Sequence, residues 1–322
     1  MTDSEASTAN SNPALAREKR SFRNRDQLSL QSMIIPGILF ILIFTFIPLY
    51  GVIIAFKDYN IVTGIQGIFS SEWVGLANFK EFISDINFWN MLRNTLGINL
   101  LGLIITFPVT ILFALFLNEL TFPRFKKLTQ TITYLPHFIS WSIFGGLIIN
   151  ILSPSNGVLN YLLVNFGIIS EPIHFLAEKD YFWMLAVLTN LVKELGWGAI
   201  LYLAAIASID QEMYEAAYMD GASRFRRIWH ITLPAITGTI VILLVFSISN
   251  ILNSGFDQFF VLQNPLNIDA SEVIDTYVYK VGLREFRMEY ATAVGLMKTV
   301  IALFLLYLAN FIAKKITGKG IF

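Results

Sequence analysis

Two segments of this chain hold charges in stretches that are otherwise uncharged. Lys193 and Glu194 are the sole charged residues of Tyr181–Ile209, and Lys298 is the sole one of Ala291–Ala313. A lysine at the centre of a bilayer helix costs about 2.5–3.5 kcal/mol on insertion scales, so such residues face a bundle interior or an aqueous cavity. Lys193 would lie about 18 Å from the outer end of its helix, too deep for easy snorkelling. Helical spacing puts Asn190, Lys193 and Trp197 on one face, with Glu194 beside them. Ser247, Asn250 and Ser254 repeat that spacing in Ile231–Ser254, with Asn253 adjoining. The chemistry on offer is hydrogen bonding and ion pairing inside a membrane. It serves either a polar solute on its way across or the pairing of helices, with Glu194 answering Lys193 or Lys298.

The elements that must position these residues follow from composition. Of 322 residues, 55% are hydrophobic and 14% charged, against about 25% in soluble domains. Met33–Phe56 is free of charge and exceeds the roughly 20 residues needed to cross a bilayer core. It is too long for a signal-peptide core and lacks an A-x-A-like exit, so it is expected to remain as an anchor. Five further spans are expected at Asn94–Asn118, Leu128–Ile151, Tyr181–Ile209, Ile231–Ser254 and Ala291–Ala313. The expected fold is all-α and polytopic, with six transmembrane helices over 33–313. A polar tail, 1–32, precedes them and a short tail, 314–322, follows. A soluble enzyme does not fit, and 23 Lys+Arg balancing 23 Asp+Glu gives no basic surplus for nucleic acid. The absence of cysteine excludes disulfides and thiolate sites. The three histidines are isolated and fit interfacial positions, and no H-E-x-x-H occurs.

Six spans place both termini on one side. With both termini inside, the cytoplasmic segments carry fourteen Lys/Arg and the external segments seven. The basic residues include the juxtamembrane cluster Arg17, Lys19, Arg20, Arg23 and Arg25, so the expected orientation is N-in and C-in. The external segments 57–93 and 255–290 are long. The first is rich in aromatics suited to an interfacial belt, and the second has room for a short helix or strand.

The loop between the fourth and fifth spans has its own logic. Asp210 can N-cap a helix running to about Met219, and Gly221 can supply the left-handed residue that ends it. Ser223 can then cap a second helix. Met213, Ala216 and Ala217 share a face of the first helix, and Phe225, Ile228 and Trp229 share one of the second. A helix-turn-helix at the cytoplasmic surface results, with small residues that admit a partner.

The ordered set Glu215, Ala216, Ala217, Asp220, Gly221, Ala222, Leu233 and Pro234, ahead of the penultimate span, resembles the EAA loop of ATP-binding-cassette importer permeases. Ile47-Pro-Leu-Tyr-Gly51, Trp73–Phe79 and Leu135–Ser140 are similar to carbohydrate permeases of the maltose-transporter type. Asp275–Tyr279 and Ala293–Leu296 resemble the subgroup that handles complex oligosaccharides and polysaccharide fragments.

The resemblance implies a permease subunit of a bacterial inner-membrane importer, working by alternating access. It implies a second homologous permease, an ATPase dimer, and an extracytoplasmic solute-binding protein as partners, with membrane lipid around the spans. Glu215 would contact the ATPase and Gly221 would set the turn. No G-x-x-x-x-G-K-[ST] is present, so ATP and Mg are expected on the partner, with no cofactor in this chain. On this reading, the intramembrane amides and hydroxyls match sugar hydroxyls and Trp197 stacks on a sugar face. Two lysines against one glutamate would leave a positive remainder suited to a uronate. A membrane-embedded enzyme would need paired acids or a nucleophile signature, and none is found. An ATP-independent carrier gives no reason for the EAA loop.

Overall fold

The computed structural model describes residues 31–318 and Gly320. The basic cluster Arg17–Arg25 and most of the expected N-terminal tail lie outside the described residues. The chain divides into two compact units, Met1–Ile54 and Ala55–Phe322. In the first, α1 (Gln31–Phe56) begins and runs two residues into the second; it is long and apolar enough to cross a membrane. Its ladder widens to π-helix over Leu42–Phe46, immediately before Pro48. Pro48 has no N–H to donate, and the change of register accommodates that missing bond.

The second unit is helical, and its one isolated bridge among the described residues joins Lys57 to Trp73. Four of its helices qualify as spans: α4 (Phe88–Glu119), α8 (Lys179–Ala207), α10 (Arg224–Ser249) and α14 (Met288–Thr317). Short helices connect them. On one side lie α2 (Gly64–Ser70) and α3 (Ala77–Ile83). The pair α5 (Pro123–Tyr134) and α6 (Trp141–Leu152) is followed by α7 (Val158–Asn165). Helix α9 (Gln211–Met219) precedes α10, and α11 (Phe256–Leu262), α12 (Ile268–Ser271) and α13 (Ile274–Tyr279) lead into α14.

Two of the expected spans differ. Leu128–Ile151 is not one helix: Pro123–Phe138 and Trp141–Leu152 meet at 106°. Pro136 lies in a 3-10 turn, Leu135–Phe138, and Ser140 then caps α6 through its hydroxyl, which accepts from Ile143 N–H. A proline followed by a new cap ends one helix and starts another. The fifth span stops at Ser249 rather than Ser254. Asn250 folds its side chain onto the Phe246 carbonyl, and Gly255 with φ 79° opens the turn into α11. Helix α14, in contrast, continues to Thr317, into residues expected to be a tail.

Helix α4 packs along α8, and α10 packs on α14. Ile98, Phe182, Val187, Phe259 and Val273 fill the interior between α4, α8 and the segment 256–273. Phe82, Met91, Ile274, Tyr277 and Tyr290 fill a second cluster that joins α3 and α13 to the start of α14. At the other end of the spans, Leu115, Ile206, Ile209 and Ile236 close the bundle. The segment 255–290 therefore folds as helices packed onto the spans.

Candidate functional site

The site begins at the broken span. A break inside a bilayer leaves backbone carbonyls that need donors. Here Lys193 supplies them: its Nζ donates to the carbonyls of Pro136 at 3.1 Å and His137 at 2.9 Å. The lysine is 4% exposed, lies 3.5 Å from Glu194 and sits 5.7 Å from the centre of the Trp141 ring. Gly196 makes this approach possible, since a Cβ there would stand 2.3 Å from the Thr133 carbonyl oxygen. Glu194 binds His137 Nδ1 at 2.6 Å, and the imidazole stacks on Trp197 with ring centres 4.3 Å apart. His137, expected at the interface, is a structural partner at the break.

A cavity of about 460 Å³ opens between α4, α8 and the end of α10. Of the expected path residues, it brings together Asn190, Glu194, Ser247, Asn250 and Asn253. The Asn190 side chain lines this cavity from α8. Asn253 Nδ2 donates to Asn250 Oδ1 at 3.1 Å, linking two amides on the same wall. Asn99, Thr106, Thr110 and Tyr202 complete the polar lining and were not among the expected residues. For Asn99, Thr106 and Thr110 the signal was a set of polar side chains recurring in the apolar run of α4, weaker than a charge; Tyr202 comes from α8. The Thr106 hydroxyl has no partner among the described residues. The cavity thus presents amides and hydroxyls with one carboxylate, and no cation lines it.

The remaining expected residues lie elsewhere. Lys193 and Trp197 are held at the break, and neither lines this cavity. Ser254 lies beyond the helix, where its hydroxyl accepts from Asn99 Nδ2 at 2.8 Å and its N–H donates to Asp275 at 3.0 Å. Lys298 pairs with Asp275, not with Glu194. The positive remainder inferred from two lysines and one glutamate is therefore absent, because an aspartate from the segment 255–290 neutralises the second lysine.

Further ion pairs fasten α3 and the segment 255–290 to the spans. Arg287 grips Glu81 through both guanidinium nitrogens, at 2.7 and 2.8 Å, joining α3 to the start of α14. That bidentate contact, the largest cause, holds the Arg287 proton more firmly than usual. Tyr277 donates to Asp85, and burial, followed by that bond, raises the phenol above its ordinary range.

The expected helix-turn-helix is present. Asp210 accepts from Glu212 N–H at 3.0 Å and caps α9, Gly221 has φ 72°, and Ser223 accepts from Arg226 N–H at 3.4 Å. Glu215, Ala216, Asp220 and Gly221 are exposed, while Ala217 and Ala222 are half-buried. Met213, Tyr218, Met219, Phe225 and Trp229 are exposed as well, and the last two stack at 6.2 Å. Arg224, Arg226 and Arg227 lie among them in the sequence. Of the expected face, Ile228 is turned inward against Ile206 and Ile236.

Comparisons with known proteins agree with this architecture. Protein LplB of Bacillus subtilis (strain 168) is 45% identical over 293 residues, covering 91% of each chain. The polygalacturonan/rhamnogalacturonan transport system permease protein YteP of the same organism is 45% identical over 296 residues, covering 92% of this chain and 91% of its own. A solved chain of a bacterial ABC transporter involved in the import of the acidic polysaccharide alginate superposes with a TM-score of 0.81. It is 38% identical and covers 94% of this chain and 99% of its own. The same type of transporter in complex with an alginate pentasaccharide-bound periplasmic protein gives 0.82 at 38% identity, covering 92% and 98%. The family described as binding-protein-dependent transport system inner membrane component matches residues 107–318, and the chain, a multi-pass ABC permease, belongs to it.

Proposed function

We propose that this chain is the permease subunit of an ATP-driven bacterial importer for oligosaccharides or acidic polysaccharide fragments. The observation that carries the reading is the α9–α10 loop: five large apolar side chains exposed on a short, well-capped helix-turn-helix with arginines between them. An exposed patch of this kind marks an interaction surface. The partner that fits is an ATPase subunit, with α9 as the lever that passes its motion to the spans. ATP and Mg would be bound there, and the count of fourteen basic residues against seven puts this loop and both termini inside.

The substrate path proposed is the α4/α8/α10 cavity. Its amides and hydroxyls pair with sugar hydroxyls, and a second, homologous permease would close the opposite wall. An extracytoplasmic binding protein would deliver the sugar. The lining of this chain has one carboxylate and no cation, so recognition of a uronate charge would fall to the second permease and the binding protein. Substrate preference towards acidic fragments is supported by the names of the relatives, not by the charge of this cavity. The test is ATP hydrolysis by the assembled complex in proteoliposomes, with a panel of neutral and uronate-containing oligosaccharides. Stimulation by a delivered oligosaccharide, lost with Gly221→Asp, is expected. Uptake that persists without a competent ATPase would overturn the reading.

A further inference from the structure

The segment after the first span is built to stay at the membrane surface. Residues 59–71 carry no charge, and they are clamped at both ends beside Phe56, the last residue of α1. Asp58 N–H donates to the Glu72 carbonyl at 2.9 Å, and Val74 N–H to the Phe56 carbonyl at 2.9 Å. Asn78 ties down the Ala55 and Lys57 carbonyls at 3.0 and 3.2 Å. Both ends of the loop are thereby fixed beside the last residues of α1.

Lys57, which immediately precedes the loop's hinge, is 3% exposed and is already used. Its Nζ donates to the carbonyls of Ile68 and Phe69, at 2.8 and 2.9 Å, and so closes the C-terminus of α2. This lysine orients α2 and removes its own charge from the surface. The helix sorts its residues by side: Ile65, Ile68 and Phe69 follow i, i+3, i+4 spacing, with Gln66 and Ser70 on the opposite flank. Ile65 and Phe69 are 78% and 75% exposed, and Val62 in the preceding turn is 89% exposed. Gly67, buried against Thr63 and Tyr59, lets the loop fold tightly on itself.

We propose that residues 59–71 form an interfacial foot that seats Val62, Ile65 and Phe69 in the leaflet into which the first span emerges. The occupant of the apolar face is lipid. Three observations favour lipid over a protein partner: the attachment of both loop ends to the span exit, the absence of charge from 59–71 with the exposed carboxylates Asp58 and Glu72 confined to its hinge, and the engagement of Lys57 within the loop itself. Interfacial helices of this type bury an apolar side some 5–10 Å into the headgroup and acyl boundary. The inference requires only that α1 crosses the membrane, so it is separable from the identity of the transported sugar.

The absence of cysteine in this chain gives a clean background for site-directed labelling. Spin labels at Val62→Cys, Ile65→Cys, Phe69→Cys and Gln66→Cys would be measured in the full complex, assembled with cysteine-free partner subunits. The nanodiscs would contain phosphatidylethanolamine and phosphatidylglycerol. The expected result is greater collision with dissolved oxygen than with an aqueous nickel chelate at 62, 65 and 69, and the reverse at 66. Labels at 62, 65 and 69 shielded from both reagents would place a protein on this face and overturn the proposal. Labels open to nickel at all four positions would place the loop in water and overturn it equally. If a cysteine variant fails to assemble, Phe69→Trp gives a second readout, in which brominated acyl chains quench the added fluorescence. Lack of added quenching in an assembled complex would also refute the proposal.

Discussion

Replacing Lys193 with methionine distinguishes a staple from a solute contact. Methionine preserves length and apolar contact but removes two charge-assisted hydrogen bonds, to Pro136 and His137, and the 3.5 Å neighbour of Glu194. A hydrogen bond to a charged group contributes about 1.5–3 kcal/mol, but measured values between membrane helices average about 0.6 kcal/mol. The Glu194 pair adds little, since that carboxylate is 32% exposed and also held by His137. Weighing the two bonds at intermediate strength gives a loss of about 2–4 kcal/mol, roughly 30- to 700-fold in the folded-to-unfolded ratio. At about 2 °C per kcal/mol for a chain of this size, the unfolding midpoint should fall by about 4–8 °C. The assay is thermal unfolding of the purified complex in mild detergent, alongside uptake kinetics for a neutral and a uronate-containing oligosaccharide. The expected outcome is a lowered midpoint with no change in preference between the two sugars. An unchanged midpoint with a selective rise in KM for the uronate would show that Lys193 faces the solute, and the staple would be refuted.

Further outcomes follow from other contacts. Gly221→Asp puts a carboxylate on the exposed turn at φ 72°, a conformation Asp tolerates better than most non-glycine residues, so the fold is kept while the docking face is changed. It and Glu215→Lys should abolish transport while membrane insertion, read by fractionation, stays normal. Asn190→Ala and Asn250→Ala should each raise KM for the sugar by about 3- to 10-fold, the loss of about one hydrogen bond, with the unfolding midpoint little changed. Lys298→Met leaves the half-buried Asp275 without its cation and should destabilise by about 1–3 kcal/mol, whereas Lys298→Met with Asp275→Leu should recover most of that loss in a double-mutant cycle. Burial, the largest cause, lifts the Glu272 carboxyl above its ordinary 4.5, so the folded state holds that proton more tightly than the unfolded one. Its contribution is therefore present below 4.5 and is lost as pH rises through the folded value; Glu272→Gln should flatten that part of the stability profile.

Local features were legible from the residues in order. Asp210, Gly221 and Ser223 each act within two or three positions of themselves, so the helix-turn-helix could be placed to the residue. Charge-free runs located the spans for the same reason. What could not be read were agreements between distant segments. The break after Phe138 depends on Lys193, fifty-six positions away from His137, being available to take two carbonyls. Lys298 is unbalanced within its own span, and the segment 255–290 folds back to bring Asp275 to it. Ser247, Asn250 and Ser254 share a helical spacing, but the helix ends at Ser249, so the periodicity carries only the first of them. Asn99 was passed over because a single amide in an apolar run is weak evidence until Ser254 is seen opposite.

The break in the third span bears on how the protein is made. Pro123–Phe138 is about 24 Å long and Trp141–Leu152 about 18 Å, and each falls short of the roughly 30 Å hydrocarbon core. Neither half qualifies as an independent stop in the translocation machinery, and the carbonyls between them wait for a side chain that is synthesised more than fifty residues later. Chains arrested before residue 179 are therefore expected to leave this region exposed to proteases, and chains extended past Lys193 to protect it. The order of synthesis, and not only the final packing, makes α8 the template on which the preceding pair completes its insertion.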